Sequence, residues 1–254
     1  MKIRILGSGT STGVPEVGCA CEVCTSCNPK DRRSRTSILV QTDDDTILID
    51  CSPDFREQMM SGDFFGKIDG VLVTHEHYDH VGGLDDLRPF NRFGRIRIYT
   101  EPYTAHLIRM RIPYCFVEDT YPGIPLISLE EIEVCRSFFI NRTEIIPCRV
   151  MHGELPILGY RIGNMAYITD MLTLPDESYD KLQGLDVLFL NALRVKPHFS
   201  HQTISQALET AKRIDAKETY FIHLSHYAGL HAELEKTLPK RVHPAYDGLV
   251  VEVG

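Results

Sequence analysis

No apolar run in this 254-residue chain approaches the roughly 20 residues needed to span a bilayer, so no membrane partner is expected. Tandem repeats, low-complexity tracts and long linkers are also absent. The start, MKIRILGSGTST, turns polar after Leu6, so it lacks the apolar core of an export signal and reads better as a first strand. The cytoplasm is therefore the expected compartment. Positive charge is in short supply: Lys+Arg 27 against Asp+Glu 35 leaves a formal charge of −8. That balance disfavours sequence-blind adhesion to DNA or RNA, which needs a positive face. Two local basic clusters, Arg32, Arg33 and Arg35, then Arg88, Arg92, Arg95 and Arg97, read first as solvated faces. With 43% apolar and 24% charged residues the composition is that of a globular protein, and excludes collagen, coiled coil and intrinsic disorder. A single domain over residues 1–254 is expected.

A disulfide framework is not expected either, although there are eight cysteines. Cys19, Cys21, Cys24 and Cys27 crowd into a loop-like stretch containing Gly18 and Pro29. In a reducing compartment such a cluster points to a metal rather than to disulfides. Thiolates at this spacing can converge on one Zn²⁺, and closed four-ligand sites are structural. The fourth ligand stays open at this point. Cys51, Cys115, Cys135 and Cys148 are scattered and read as buried apolar residues. Histidine, by contrast, is plentiful at 11. His75, His77 and His80 stand close together, as do His223 and His226. Three histidines interleaved with a carboxylate are hard to explain as ordinary core groups.

The coarse pattern alternates strands with helices. Strands are expected at Lys2–Leu6, Ser37–Thr42, Thr46–Asp50, Gly70–Thr74 and Ile96–Thr100. Further strands are expected at Ile145–Val150, Leu158–Ile162, Met165–Thr169, Asp186–Leu190, Thr219–His223 and Leu249–Val253. Asp43-Asp44-Asp45 and Gly163-Asn164 supply hairpin turns. Ser52-Pro53 reads as the cap and first residue of a helix running to about Met60. Thr203–Arg213 carries a helical apolar stripe of Ile204, Ala207, Leu208 and Ala211. Strands followed by helices in both halves imply a layered α/β fold.

The segment Val71-Leu72-Val73-Thr74-His75-Glu76-His77-Tyr78-Asp79-His80 carries the chemistry. An apolar strand runs into His75-x-His77-x-Asp79-His80. If extended geometry persists, His75 and His77 share a face and can share one divalent ion. Asp79 and His80, at the turn into a helix, can face a second ion. The mixed nitrogen and oxygen donors suit Zn²⁺, Mn²⁺ or Fe²⁺. This run resembles the signature of the metallo-β-lactamase superfamily, and the chain supplies the later residues in the same order: His152, Asp170 and His223, each near a strand end. The resemblance implies a four-layer αββα sandwich with two metals at the sheet ends. His75, His77 and His152 would hold one ion, Asp79, His80 and His223 the other, with Asp170 bridging. Asp50 matches the family's aspartate that orients a ligand imidazole or nearby backbone, and reads equally as a cap before Ser52-Pro53.

Gly18-Cys19-Ala20-Cys21-Glu22-Val23-Cys24 is similar to the subgroup containing the cyclic phosphodiesterase of the carbon–phosphorus lyase pathway, the phosphoribosyl cyclic phosphodiesterase-like proteins. There three cysteines and a late histidine hold a structural zinc, which maps onto Cys19, Cys21, Cys24 and His226, with Cys27 as a competitor for the fourth place. His201-Gln202-Thr203 resembles the His-x-Thr of phosphodiesterases in this superfamily. His201 would then protonate the leaving oxygen, with Asp79 joining it as a catalytic group. Arg88 is a candidate phosphate contact. The function implied is hydrolysis of small or cyclic phosphodiesters by a hydroxide held between two active-site metals, Zn or Mn. The partner is a small phosphodiester, extended nucleic acid is disfavoured, and a homodimer is allowed. Two rivals share the metal motif: a tRNA 3′-processing endonuclease-like nuclease, and a thioester or lactone hydrolase, which needs no acid at His201. The non-enzymatic rival is an accessory or sensor module that binds metal without catalysis.

Overall fold

Thr46-Ile47-Leu48-Ile49 shows why this chain builds layers. Ile47 and Ile49 face one apolar cluster and Leu48 another, and all three are fully buried. A strand that is apolar on both faces must be covered on both. The computed structural model describes residues 1–62, 64–117, 123–134 and 136–254. Its strands begin with β1 (Lys2–Gly7), β2 (Ser37–Gln41), β3 (Thr46–Ile49), β4 (Gly70–Leu72), β5 (Ile96–Thr100), β6 (Ile127–Glu131) and β7 (Phe138–Ile140). They continue with β8 (Thr143–His152), β9 (Leu155–Ile162), β10 (Met165–Ile168), β11 (Val187–Asn191), β12 (Glu218–Ile222), β13 (Val242–Pro244) and β14 (Val250–Glu252). The α-helices are α1 (Phe55–Met60), α2 (Tyr78–Val81), α3 (Pro102–Arg111), α4 (Asp176–Lys181), α5 (Ile204–Ile214) and α6 (His231–Thr237).

The strands form two sheets, ordered β14-β1-β2-β3-β4-β5-β6 and β13-β12-β11-β10-β9-β8-β7. Both are mixed. In the first, β3 to β6 run parallel; in the second, β10 to β13 do. Ile3, Ile5, Ile38 and Ile49 of one sheet meet Leu158, Tyr160, Tyr167 and Phe189 of the other in a central core. Phe55, Leu84, Phe90 and Ile108 cover the outer face of the first sheet. Ala207, Ala211, Ile214 and Leu234 cover that of the second. This is the four-layer αββα sandwich. Among the described residues no helix is long and apolar enough to cross a membrane.

Several details differ from the sequence expectation. Helix α1 starts at Phe55 with Asp54 as its cap; the Ser52 hydroxyl and carbonyl instead accept from the Asp54 and Phe55 amides, turning the chain one step earlier. Thr203 is the cap of α5 rather than its first residue, in a reciprocal pairing with Gln206. Strand β4 stops at Leu72, so His75 and His77 lie on irregular chain beyond it. Strands β6, β7 and β13 were not expected; β7 and β13 have three residues each, too few to show a period. Arg33 is no solvated cation. It is 1% exposed and donates to the Ser225 and Gly229 carbonyls at 2.9 and 2.8 Å. Cys51, Cys115 and Cys148 are buried, and Cys135 lies outside the described residues.

Candidate dimetal site and cysteine site

Five chain segments deliver side chains to one end of the sandwich, each just past or at the end of a strand: Asp50 after β3, 73–80 after β4, His152 ending β8, Asp170 after β10 and His223 after β12. Asp50, Asp170 and His223 have φ of 58, 54 and 55°. Such left-handed backbone is costly for residues other than glycine, so the surrounding fold must hold it there. It turns each side chain out of the strand direction and into the site. Gly9 lets the backbone of this end close up: a Cβ there would lie 2.4 Å from the Arg33 carbonyl oxygen, and Gly9 bridges to Leu224 beside His223.

The side chains gather in two groups whose ligand atoms lie within 4.8 Å of one another: His75, His77 and His152, and Asp79, His80, Asp170 and His223. His75 Nε2 and His77 Nδ1 are 3.0 Å apart. An Asp170 oxygen lies 3.2 Å from His80 Nε2 and the other 3.3 Å from His223 Nε2. Asp79 Oδ2 lies 3.2 Å from His80 Nε2 and 3.5 Å from His223 Nε2. Around them a ring of partners fixes which nitrogen faces inward. His80 Nδ1 meets Asp50 Oδ2 at 2.7 Å, His75 Nδ1 meets Thr74 Oγ1 at 3.0 Å, and His152 Nδ1 meets the Ser200 carbonyl at 3.0 Å. That leaves Nε2 of all three for a ligand. Thr74 also donates to Asp50 from its amide and hydroxyl, and Tyr167 Oη sits 3.3 Å from Asp50 Oδ2. Thr74, Tyr167, Ser200 and the Thr169 hydroxyl that donates to Asp170 were missed in the sequence, since nothing in their letters marks them as holders of ligands.

The residues fit divalent cations. Three carboxylates, Asp50, Asp79 and Asp170, are buried together, which is costly without positive charge among them. Among the described residues, His80 Nε2, both nitrogens of His223 and His201 Nδ1 are buried with no hydrogen-bond partner. Burial opposes charge on Asp170, but His223 and His80 hold its carboxyl well below the usual range. Burial, with the charge of His80 nearby, keeps His75 well below its usual pKa and hence neutral. On His80 burial is overruled by Asp79, Asp170 and Asp50, which hold a proton where a cation would serve. Deprotonated carboxylates and neutral imidazoles are what metal binding requires.

His201 stands at the edge of this set, 6% exposed. Its Nδ1 is 3.8 Å from Asp170 Oδ1, and its ligand atom groups with those of His152 and Asp170. Geometry alone admits it as acid or ligand. Arg88 points elsewhere: it pairs with Asp85 and lines an apolar cavity of about 630 Å³ walled by Phe55, Met59 and Phe65. None of those residues belongs to the ligand groups.

A second cluster lies on the N-terminal loop. The sulfurs of Cys19, Cys21 and Cys24 are 3.3, 3.4 and 3.3 Å from His226 Nδ1. The other nitrogen of that ring, Nε2, lies 3.2 Å from Glu16 Oε2. The Cys24 amide pulls the Cys21 thiol down to about 6, while burial pushes Cys24 up to about 11. Three sulfurs this close cannot all be thiolates unless a cation lies among them. The donor set fits Zn²⁺. Cys27 is exposed and stands outside the group. His226 follows His223 by three residues, so Arg33, through the Ser225 and Gly229 carbonyls, braces the backbone of both clusters.

The family described as the beta-lactamase superfamily domain matches residues 45–224, more than half of the chain. The chain belongs to that superfamily. Within it the protein also belongs to the PhnP family: a crystal structure of a new diphosphatase from that family is 41% identical, with a TM-score of 0.91 over 98% of this chain and 96% of that one. A Porphyromonas gingivalis protein named octanoyltransferase is 49% identical over 253 residues, 98% of this chain and 51% of that protein. The chain thus spans about half the length of that curated relative. Zn²⁺-bound PqqB from Methylobacterium extorquens shares the fold at 19% identity and a TM-score of 0.80, covering 100% of both chains.

In this superfamily member the orienting contact of Asp50 is open to test. An Asp50→Asn variant keeps the shape but loses the charge beside His80. Metal affinity of the active site, followed by competition with a chelating dye, is expected to fall about 10–100-fold. Unchanged affinity would leave Asp50 as a turn residue only.

Proposed function

We propose that the protein is a dinuclear metal-dependent phosphodiesterase acting on small or cyclic phosphodiesters, with residues 1–254 as one hydrolase domain and the cytoplasm as its compartment. The position of His201 carries this reading. Its ring centroid is 4.5 Å from that of His152 and 5.0 Å from that of His223, one imidazole from each half of the ligand set. A diester with an alkoxide leaving group needs a proton donor beside the attacked phosphorus; a thioester, which releases a thiolate, does not. Support comes too from the PhnP-family diphosphatase, whose substrates also carry phosphorus–oxygen bonds. The formal charge of −8 speaks against an extended nucleic acid. Octanoyl transfer is not part of the proposal, because half of the relative so named lies outside the match.

When bound, two divalent cations, Zn²⁺ or Mn²⁺, supply an activated water and positive charge for the phosphate oxygens. The side chains do the rest. His75, His77 and His152 would hold one cation, Asp79, His80 and His223 the other, with Asp170 facing both. Asp50, Thr74 and the Ser200 carbonyl keep three of those rings aimed. His201 delivers the proton that departs with the leaving alcohol. Burial, ahead of the opposing Asp170, pulls its imidazole down to about 3 in the free protein. The negative charge of a diester against the ring raises its proton affinity. Cys19, Cys21, Cys24 and His226 would hold a closed zinc that staples the N-terminal loop.

A His201→Ala variant tests the role. With an aliphatic leaving group kcat/KM is expected to fall about 10²–10⁴-fold. With p-nitrophenolate, which departs without a proton, the loss is expected to be far smaller, at the same metal content. Equal losses on both substrates would remove His201 from the acid role.

A further inference from the structure

We propose that Phe199 is a stacking platform that selects substrates whose leaving group carries a planar aromatic ring, in the simplest case a nucleoside. This rests on the phosphodiesterase reading and names the substrate class for that same site.

Phe199 is 84% exposed, while Ser200 and His201 beside it are 5% and 6% exposed. A lone exposed ring would mean little; its placement is what counts. Rings form a line leading out of the metal site. His152 to His201 is 4.5 Å between centroids, His201 to His198 is 5.0 Å, and His198 to Phe199 is 4.5 Å with a tilt of 31°. His201 is the proposed donor to the leaving oxygen. The part of the substrate beyond that oxygen therefore lies toward His198 and Phe199.

The loop presenting the ring is held rigidly. Arg194 Nε and Nη2 donate to the Lys196 and Pro197 carbonyls at 3.1 and 2.7 Å. The Leu193 amide donates to the Gln202 carbonyl, and Arg194 bridges to Thr203, closing the loop at its base. The Ser200 carbonyl receives His152 Nδ1, and a Cβ on Gly153 would lie 3.7 Å from the Phe199 carbonyl oxygen. A fixed backbone with His198 beside the ring and most of the ring open to solvent is a preorganised surface for a flat group. Tyr78 is also exposed beside ligands, but Arg111 already sits 5.8 Å from its ring centroid. Bases stack on aromatic side chains without regard to sequence, and such contacts change binding by about one to two orders of magnitude.

Two five-membered cyclic diesters make the test: adenosine 2′,3′-cyclic phosphate and the base-free cyclic phosphate of propane-1,2-diol. The ratio of their kcat/KM values is expected to favour adenosine in the wild type, to drop about tenfold in Phe199→Ala, and to recover in Phe199→Trp. The chain has no tryptophan, so Phe199→Trp carries a single fluorophore. AMP is expected to quench it saturably, and ribose 5-phosphate is not. An unchanged ratio in Phe199→Ala, or no quenching by AMP, overturns the proposal. So does a Phe199→Ala variant that converts a dimer to monomers in sedimentation, since the ring would then be a contact between copies. Should the wild type cleave neither diester with any metal, the phosphodiesterase reading fails, and AMP quenching alone still decides the platform.

Discussion

Asp170→Ala is expected to lower kcat/KM on a phosphodiester by at least about 1000-fold, with fewer than two active-site metals retained per chain. Among the described residues Asp170 belongs to two of the ligand groups and faces both sets of histidines. One oxygen stands 3.2 Å from His80 Nε2, the other 3.3 Å from His223 Nε2 and 3.8 Å from His201 Nδ1, and the residue also groups with His152. In the proposed site its removal would take negative charge away from where both cations would be held, leaving their mutual repulsion less offset. Its own backbone strain, at φ 54°, would persist with nothing gained from it. Asp170→Asn separates charge from shape: the isosteric amide keeps the packing, and comparable losses in both variants assign the effect to charge. Metal content by elemental analysis and a thermal melt complete the measurement. A well-folded Asp170→Ala retaining activity within tenfold would remove the bridging role.

The second large effect concerns stability. His226→Ala is expected to lose one tightly held zinc per chain while the active-site residues stay in place. A ligand present at about 1000 times its Kd adds about 4 kcal/mol to a folded state. For a domain of this size that corresponds to a Tm lower by about 8–16 °C in the variant. Among the described residues the loop's apolar cluster is small, Val14, Val23 and Cys24 with Cys19 and Leu230 alongside, and Val14 exchanges backbone hydrogen bonds with Arg33. The backbone beside His223 is also held through Leu224 by Ser8 and Gly9. Activity should therefore fall less than stability. Equal Tm values for wild type and variant, both zinc-loaded, would show that the cysteine cluster holds no structural metal.

Much of this architecture can be read from the letters, for identifiable reasons. Apolar runs such as Val71-Leu72-Val73 end abruptly in polar chemistry, and that boundary marks both a strand end and a site. The chain packs His75, His77, Asp79 and His80 so tightly that their convergence needs little from the rest of the fold. Other features are silent in sequence because they are properties of surroundings. Arg33 has the same letter whether solvated or buried, and only the carbonyls of Ser225 and Gly229 make its burial tolerable. Asp50, Asp170 and His223 give no hint of positive φ, since that conformation is imposed by the backbone around them. Thr74 reaches Asp50 because β3 and β4 are neighbours in one sheet, and Tyr167 reaches it only once the two sheets are packed face to face. Cys27, by spacing a rival for the fourth place, stands outside the group that Cys19, Cys21, Cys24 and His226 form.

Anomalous diffraction from zinc-loaded crystals tests the central claim most directly. Three peaks per chain are predicted: two about 4 Å apart among His75, His77, His152, Asp170, Asp79, His80 and His223, and one among Cys19, Cys21, Cys24 and His226. A fully folded, zinc-saturated crystal with no peak among the seven imidazoles and carboxylates would contradict it.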